Sequence, residues 1–253
     1  MTAPISVVLI TLNEEANIQR CLQSVQWADD IVVVDSGSRD KTCEIAQGLG
    51  ARIIHNDWPG FGEQKRFATA AAQHDWVLSL DADEWLSDEL THNIQKAIQE
   101  PAQKAYNIRR RHYFMGKLLR HGISYPDDVK RLYNRKHANW NRNPVHESID
   151  YAGTFGFIAG DMLHESAPTI GRYIEKLNSY TDIQATERYH QGKSANAFHL
   201  ISLPLWQFLR GYIFKLGFLD GIPGFTHNVL AAMNTFIRYA KLREKNTPPE
   251  KVK

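Results

Sequence analysis

Residues 76–85 read WVLSLDADEW, a short apolar run followed at once by three carboxylates. The apolar part predicts a buried strand that delivers Asp81, Asp83 and Glu84 to its carboxyl end. Because side chains alternate along a strand, we expect Asp81 and Asp83 on the same side of the chain. Two oxygen ligands at this spacing suit Mg²⁺ or Mn²⁺ that carries a diphosphate. The competing interpretation is a strand that ends in a solvated acidic turn before a helix.

Strands and helices alternate four times in the first hundred residues. Asn13 is the expected N-cap of the first helix, and Gly50 is expected just after the second. This alternation predicts an α/β fold with a parallel sheet and right-handed crossovers. Predicted strands lie at about residues 5–10, 31–34, 52–55 and 76–80, and predicted helices at about residues 14–25, 41–49, 63–73 and 88–99.

Polar segments follow three of these strands, with the sequences TLNEE, DSGSRD and DADE. Since ligands of parallel sheets bind at the carboxyl ends of the strands, we expect the three segments to form one site. The sequence has no G-x-G-x-x-G motif after the first strand and no P-loop, so a bound anion must meet metal, helix N-termini, Lys or Arg instead. Beyond residue 105, aromatic and arginine-rich segments predict a mixed sheet, and a helix is predicted at about residues 169–189.

Charge is distributed unevenly along the chain, although the formal net charge is only +2. Residues 101–142 contain eleven Lys/Arg and two acids, and residues 198–253 contain eight Lys/Arg and three acids. Both regions favour anionic partners such as phosphates, anionic lipid or nucleic acid. The run Arg109, Arg110 and Arg111 is a candidate contact for such a partner, and its alternative is a solvated face.

Cys21 and Cys43 are the two cysteines, and both fall in predicted helices. This argues against a disulfide framework or a zinc site and favours a reducing compartment. The N-terminal segment lacks a basic region followed by a long apolar run, so no signal peptide is expected. No run of eighteen apolar residues occurs, so no transmembrane helix is expected either.

The C-terminal region 198–242 is rich in apolar and aromatic residues, with Arg210 and Lys215 among them. One interpretation is a pair of helices that pack into a core. We favour a surface that lies on an anionic membrane, with Trp206, Phe208 and Phe214 inserted and the basic residues at the level of the headgroups. Residues 243–253 are expected to form a polar, disordered tail.

Three motifs, ISVVLITLNEE, DIVVVDSGSRDKT and WVLSLDADEWL, resemble in order and spacing the inverting glycosyltransferases of family 2. VHESI and DMLHES are similar to two later elements of that family, and the resemblance covers about residues 5–242. The tail PLWQFL…GFLDGIPGF…YAKL resembles bacterial enzymes that add a sugar, often β-linked glucose, to the inner core of lipopolysaccharide.

The resemblance implies a GT-A fold, a Rossmann-like mixed sheet flanked by helices, with a C-terminal amphipathic helical appendage. It places the catalytic domain at residues 1–165, with a nucleotide-sugar half at 1–100 and an acceptor half at 101–165. A helical, membrane-associating region would follow at 166–242 and the polar tail at 243–253.

The resemblance also implies roles for single residues. In the nucleoside pocket, Asp35 would accept a hydrogen bond from the base, as expected for uracil N3–H. The residues implied to bind the nucleotide-sugar are Thr11, Asn13, Glu14, Asp35, Lys65, Asp81, Ala82, Asp83 and Arg131, and those implied to bind the metal are Asp81, Asp83 and His164. Glu147 would be the general base, with His146 beside it, and Glu84 is the competing candidate for that role. Ser148 stands where the family more often has an acid.

The implied reaction is a metal-assisted single displacement that moves a hexose, glucose in the favoured form, from a UDP-sugar to a heptose of the lipopolysaccharide inner core. The cofactor would be Mg²⁺ or Mn²⁺, and no nucleic acid would be involved. The enzyme would sit on the cytoplasmic face of the inner membrane. The alternatives are a family 2 transferase with a polyprenyl phosphate or other glycolipid acceptor, and a non-enzymatic protein that binds nucleotides or nucleic acid.

Overall fold

The computed structural model describes residues 3–142, 147–165, 167 and 169–247. The chain divides into two compact units. The first contains the described residues up to Arg110 together with Asp127–His164, and the second contains Arg111–Pro126 and the described residues from Glu165 onward. The first unit therefore ends beside the expected boundary at residue 165, whereas residues 111–126 group with the C-terminal region.

The first unit is built on a mixed sheet. Its strands are β1 Ile5–Thr11, β2 Asp30–Asp35, β3 Arg52–His55, β4 Trp76–Asp81, β5 Glu84–Leu86, β6 Ala105–Phe114, β8 Asp127–Asn134 and β11 Gly156–His164. Two further strands, β9 Ala138–Trp140 and β10 Ile149–Tyr151, pair with each other. The short strand β7, Lys117–Leu118, pairs with the end of β6 and belongs to the second unit. The strands of the large sheet lie in the order β3-β2-β1-β4-β8-β6-β11-β5. The pairs among β3, β2, β1 and β4 are parallel, and β8 joins β4 antiparallel. The expected α/β fold with a mixed sheet is confirmed.

Helices cover both faces of the sheet, which explains why its central strands are almost wholly apolar. The helices of this unit are α1 Ile18–Gln23, α2 Thr42–Gly48, α3 Phe61–Ala71 and α4 Asp88–Gln99. On one face, Leu9 of β1 packs in a cluster with Leu22 of α1 and Ile94 of α4. On the other face, Val8 packs in a cluster with Ala68 of α3. Alternate residues of β1 thus enter two separate cores.

The first helix begins later than the sequence predicts. Asn13 adopts a left-handed conformation with φ of 56°, and α1 begins at Ile18 after Asn17. The prediction that Asn13 caps this helix is wrong, because the Asn13 side chain accepts a hydrogen bond from the N–H of Arg39 instead. Gly50, with φ of 81°, does follow the second helix as expected.

The second unit is largely helical. Its helices are α5 Ile170–His190, α6 Ala197–Leu209 and α7 Gly221–Asn246, with a π-helical turn at Arg210–Phe214 and a 3₁₀ turn at Gly217–Asp220 between the last two. The carboxylate of buried Asp220 accepts the backbone N–H groups of Arg120 and His121, which ties the 111–126 segment to this unit. Cys21 and Cys43, both in the first unit, are free thiols. Within the described part of the chain, no helix has the length and hydropathy needed to cross a membrane.

Candidate functional site

The candidate site lies at the carboxyl ends of β1, β2 and β4. Thr11 at the end of β1 pairs in register with Asp35 at the end of β2. The preceding residue, Ile10, pairs with Asp81 at the end of β4. Two of the expected site carboxylates therefore flank consecutive positions of the central strand. This register brings the segments after β1, β2 and β4 to one edge of the sheet, as expected for parallel strands.

Asp35 is buried, and four hydrogen bonds from its own surroundings hold its carboxylate. Oδ1 accepts from the hydroxyls of Thr11 (3.2 Å) and Ser38, and Oδ2 accepts from the N–H groups of Gly37 and Ser38, both at 2.8 Å. Desolvation opposes the charged form, but the bonds from Ser38 outweigh it and lower the pKa of Asp35. Because a carboxylate has about four lone-pair sites, a nucleoside base would have to replace one of these donors.

Asn13 and Glu14 join the loop after β1 to the loop after β2. The N–H of Asn13 donates to the Ser38 hydroxyl at 2.8 Å, and the N–H of Glu14 donates to the Thr42 hydroxyl at 2.8 Å. The Glu14 carboxylate accepts from the side chain of Asn17. The two residues thus shape the pocket around Asp35 through their backbones.

Asp81 lies between two buried cations. Its Oδ1 is 3.1 Å from Lys65 Nζ, and its Oδ2 is 2.5 Å from Arg131 Nη2. Desolvation opposes the charged form of Asp81, but Arg131 and then Lys65 outweigh it and hold its pKa well below the usual range. The same contacts, with Glu84, raise the pKa of Arg131 against the effect of its own burial. The structure therefore brings together Lys65, Asp81 and Arg131, three of the residues expected to bind the nucleotide-sugar.

Glu84 shares the Arg131 guanidinium with Asp81 and is fully buried. Its Oε1 accepts from Arg131 Nη2 at 2.7 Å and from Arg110 Nη1 at 3.2 Å, and its Oε2 accepts from the Asp81 N–H at 3.0 Å. Both oxygens are thus occupied, and neither faces solvent. A general base must reach the proton that it takes, so this placement disfavours Glu84 for that role.

Glu147 reaches the site from the loop before β10. Its Oε1 is 2.9 Å from Lys65 Nζ, so Lys65 bridges Glu147 and Asp81. The Lys65 ammonium also lies 4.5 Å from the centre of the Trp140 ring, a cation–π contact. The Glu147 side chain is 19% exposed and so remains accessible. His146, its expected neighbour in a proton route, lies outside the described residues.

Asp83 and His164 meet on the other side of the acidic segment. His164 Nε2 is 3.4 Å from Asp83 Oδ2. Antiparallel pairing of β5 with β11 produces this contact, because it sets His164 opposite Glu84, the residue after Asp83. Ala82 between the two aspartates is buried. Among the residues that the structure describes, no three His, Cys, Asp or Glu side chains come close enough together to hold a metal by themselves.

Two residues of the arginine run 109–111, Arg109 and Arg110, are engaged by carboxylates of the first unit. Arg109 pairs with Asp128, and Arg110 pairs with Asp127 at 2.7 Å as well as with Glu84. The two aspartates lie on the neighbouring strand β8 and neutralise the two arginines of β6. Asp127 and Asp128 are the two acids of residues 101–142, so the net positive charge of this stretch is unchanged, but Arg109 and Arg110 are occupied.

Sequence reasoning missed the contacts that three residues make in this site. The N–H of Ser38 donates to the Asp35 carboxylate, the Trp140 ring packs against the Lys65 ammonium, and Arg110 donates to the Glu84 carboxylate. Ser38 belonged to the quoted DSGSRD segment, so its role could have been inferred from a turn that begins with Asp. Trp140 and Arg110 offer no local signal, since their partners are distant in sequence.

Residues 6–158 match the sequence profile of the family described as Glycosyl transferase family 2. A protein of Rickettsia typhi, named as an uncharacterized glycosyltransferase, is 35% identical over 253 residues, which cover 95% of this chain and 87% of that protein. The family match includes the carboxyl ends of β1, β2 and β4, where the candidate site lies.

A second relative has a more specific name. The lipopolysaccharide core biosynthesis glycosyltransferase LpsC of Rhizobium meliloti is 29% identical over 256 residues, which cover 96% of this chain and 93% of that protein. Among solved structures, glucosyl-3-phosphoglycerate synthase from Mycobacterium tuberculosis, in complex with Mn²⁺ and UDP, is 27% identical over 44% of each chain, with a TM-score of 0.38. A structural likeness of that size supports no conclusion about the site.

Proposed function

The chain belongs to glycosyl transferase family 2, and from this premise we propose that it moves a hexose from a UDP-sugar to the lipopolysaccharide inner core by an inverting displacement. One observation carries the proposal: Asp35 and Asp81 flank consecutive residues of β1, and Asp81 is held by two buried cations. A uridine diphosphate has a base and a diphosphate at its two ends, and this arrangement offers an acceptor for the first and cations for the second.

Lys65 and Arg131 are the proposed contacts for the donor diphosphate. Both are at least 95% buried, and each now faces a carboxylate of the site. Arg131 Nε is buried and has no hydrogen-bond partner among the described residues. A phosphate oxygen would satisfy this donor, and orphaned donors of this kind are rare in proteins unless a ligand completes them.

At the base end, the proposed contact is a hydrogen bond from uracil N3–H to Asp35. It would replace the bond that the Ser38 hydroxyl now donates to the same carboxylate. Thr11 and the backbones of Asn13 and Glu14 would keep the pocket in shape during this exchange. The glucose moiety of the donor is proposed from the resemblance of the C-terminal tail.

A divalent metal fits beside the acidic segment. The 3.4 Å between His164 Nε2 and Asp83 Oδ2 is close to the spacing of about 3 Å expected for two ligands of one Mg²⁺. Asp83 and His164 would hold Mg²⁺ or Mn²⁺ together with oxygens of the diphosphate, and Asp81 stands two residues away. The metal would supply charge neutralisation of the departing diphosphate.

Glu147 is the proposed general base. It would take the proton of the acceptor hydroxyl while that oxygen bonds to the anomeric carbon and the bond from this carbon to the diphosphate oxygen breaks. In the structure, Glu147 shares Lys65 with Asp81. We propose that Lys65 turns to the diphosphate when the donor binds, which frees the Glu147 carboxylate to accept the proton.

The acceptor assignment is supported by LpsC, whose name refers to lipopolysaccharide core biosynthesis and whose similarity extends over 96% of this chain. A core acceptor carries phosphates and carboxylates, which suits the Lys/Arg excess of residues 101–142. The heptose of the inner core is proposed as the sugar that is modified.

The second unit is proposed to bind an anionic membrane, on the cytoplasmic face of the inner membrane. Helix α6 has no Asp, Glu, Lys or Arg and buries none of its residues. Trp206 and Phe214 are 53% and 68% exposed and lie 5.7 Å apart, ring to ring. Phe208, the third residue expected to insert, is half-buried instead, because it stacks on Tyr212. We therefore assign insertion to Trp206 and Phe214.

The charges of this region favour an anionic lipid surface over a second protein copy. Residues 198–242 carry four Lys/Arg and one acid, Asp220, which is buried against the segment 111–126. A groove of about 430 Å³ between α6 and α7 is lined only by apolar side chains, among them Leu205, Met233 and Phe236. An interfacial surface of apolar residues with basic neighbours is typical of peripheral membrane proteins.

Thermal unfolding with a panel of nucleotides tests the donor assignment. UDP or a UDP-sugar with Mn²⁺ is expected to raise the melting temperature, while GDP and CDP with Mn²⁺ are expected to have little effect. If no UDP compound shifts the transition, the proposed donor is wrong.

A further inference from the structure

Glu84 has a carboxylate that the proposed displacement does not use, although it lies in the middle of the site. Its side chain is 0% exposed, and three donors from three different strands, β4, β6 and β8, hold it. A buried charge is costly unless it is paired, so this arrangement is a specific one. A carboxylate at the surface of a turn would instead be solvated by water, without protein donors at both oxygens.

The contacts of Glu84 connect three strands that carry proposed ligands of the donor or the metal, namely β4, β8 and β11. Its Oε2 accepts from the backbone N–H of Asp81 at the end of β4, and its Oε1 accepts from Arg131 on β8. Its own backbone pairs in register with His164 on β11. A change at Glu84 is thus expected to reach both the cations and the metal side of the site.

Arg131 stands between two carboxylates that differ in access. Arg131 Nη2 is 2.5 Å from Asp81 Oδ2 and 2.7 Å from Glu84 Oε1. The Asp81 side chain is 32% exposed, whereas Glu84 is sealed by Arg110 and by the Asp81 N–H. Asp81 is therefore the partner that a bound diphosphate could displace from Arg131. Glu84 is the partner that stays.

We propose that Glu84 is a positioning residue, which holds the Arg131 guanidinium in place when the donor diphosphate replaces Asp81 as a partner of this arginine. The proposal rests on the proposed donor site and adds to it a residue that does not touch the substrate. Arg110 takes part indirectly, because its contact with Asp127 at 2.7 Å fixes the second guanidinium on Glu84. Without Glu84, Asp81 would be the one remaining carboxylate partner of Arg131 among these two, and the donor would displace it.

A double-mutant cycle on donor affinity separates this role from a merely structural one. The variants are Glu84→Gln, Arg131→Gln and the double variant, with Glu175→Gln as the matched control at an exposed ion pair in α5. The measurement is the Kd of UDP in the presence of Mn²⁺, by calorimetry, at a temperature where circular dichroism shows each variant folded. If Glu84→Gln alone fails to fold, the double variant is compared with Arg131→Gln, since it removes both charges of the pair.

We expect Glu84→Gln to weaken UDP binding at least tenfold, and the double variant to bind no more weakly than Arg131→Gln. Glu175→Gln should bind like the wild-type protein. Equal affinity of Glu84→Gln and wild type would overturn the inference, as would effects that multiply in the double variant. Absence of UDP binding by the wild-type protein would instead overturn the proposed donor, and with it the premise of this inference.

Discussion

Lys65 Nζ lies 2.9 Å from Glu147 Oε1, although 82 positions separate the two residues in the chain. The same ammonium lies 3.1 Å from Asp81 Oδ1, so one buried cation connects the proposed base to the proposed donor site. The shared contact implies that donor binding and activation of the acceptor are linked through Lys65. The first prediction follows from this bridge.

Replacing Lys65 by Met should weaken UDP binding and turnover together. The variant removes a cation from the diphosphate site, and charge-assisted hydrogen bonds contribute about 1.5–3 kcal/mol each, roughly ten- to a hundredfold in Kd. Lys65→Arg, which keeps the charge, should retain more affinity than Lys65→Met. The check is calorimetry with UDP and Mn²⁺, and unchanged affinity of Lys65→Met would remove this residue from the site.

Glu147→Gln should lower turnover and leave donor affinity nearly unchanged. Loss of a general base costs about 10²–10⁴-fold in rate, while the glutamine still fills the position beside Lys65. The rate of transfer is compared with the Kd of UDP for the variant, for wild type and for Glu175→Gln as the control. A Glu147→Gln protein with wild-type turnover would show that the base lies elsewhere.

Asp35→Asn should change the choice of base as well as the affinity. The carboxylate can only accept hydrogen bonds, which suits uracil N3–H, whereas the asparagine amide can donate to the unprotonated N3 of cytosine. We expect the ratio of CDP to UDP affinity to rise at least tenfold in the variant. Competition binding measures that ratio, and a variant that weakens UDP and CDP equally would point to a role in folding alone.

Exposed aromatic residues of α6 and the following turn should control membrane binding. Trp206→Ala combined with Phe214→Ala should reduce flotation with vesicles that contain anionic phosphatidylglycerol, because the two side chains are the proposed insertion points. Phe157→Ala, which removes an exposed phenylalanine of the first unit, serves as the control. Neutral phosphatidylcholine vesicles should bind less protein, and high salt should weaken binding to the anionic ones.

Two outcomes would contradict the membrane surface. The first is equal flotation of the double variant and the wild-type protein. The second is a stable dimer of the wild-type protein in solution that the double variant converts to a monomer, since the same apolar residues would then be covered by a second copy.

His227 should make the stability of the protein depend on pH. Burial, with His112 nearby, lowers the pKa of His227 to about 4, and its ring packs against Phe114 and Tyr173. Because the unfolded state binds the proton more tightly, the stability that His227 supports is complete above its unfolded pKa of about 6.5 and is lost as the pH falls toward 4. Between pH 7 and pH 5 the loss should be about 2 kcal/mol.

Urea unfolding at pH 7 and pH 5 checks this sign. His227→Gln should show a smaller loss between the two pH values than wild type, and the exposed His92→Gln should behave like wild type. A wild-type protein that gains stability on acidification would contradict the assignment.

Much of the first unit could be predicted from the sequence because local signals specify it. Helix α4 begins and ends where predicted, since Ser87 caps it by accepting the N–H of Leu90. Strand β3 also has its predicted bounds. The carboxyl ends of β1, β2 and β4 then meet by the rule for parallel sheets, which placed Asp35 and Asp81 together.

Contacts between distant parts of the chain could not be predicted. Glu84 was the competing candidate for the base, and only the fold shows the guanidinium of Arg131, 47 residues away, against its carboxylate. Arg110 was expected to face an anionic partner, but the antiparallel register of β6 and β8 sets it opposite Asp127. Asn13 was expected to cap a helix, but its side chain accepts a hydrogen bond from the N–H of Arg39 instead.

Transfer to a defined acceptor tests the central claim most directly. Wild-type protein is incubated with UDP-glucose, Mn²⁺ and purified lipopolysaccharide core truncated at the heptose, and the product is examined by mass spectrometry. We predict a gain of one hexose by the acceptor, which requires the donor and the metal and is abolished in Asp83→Asn. An acceptor unchanged with every UDP-hexose, under conditions where UDP binds the protein, would contradict the proposed function.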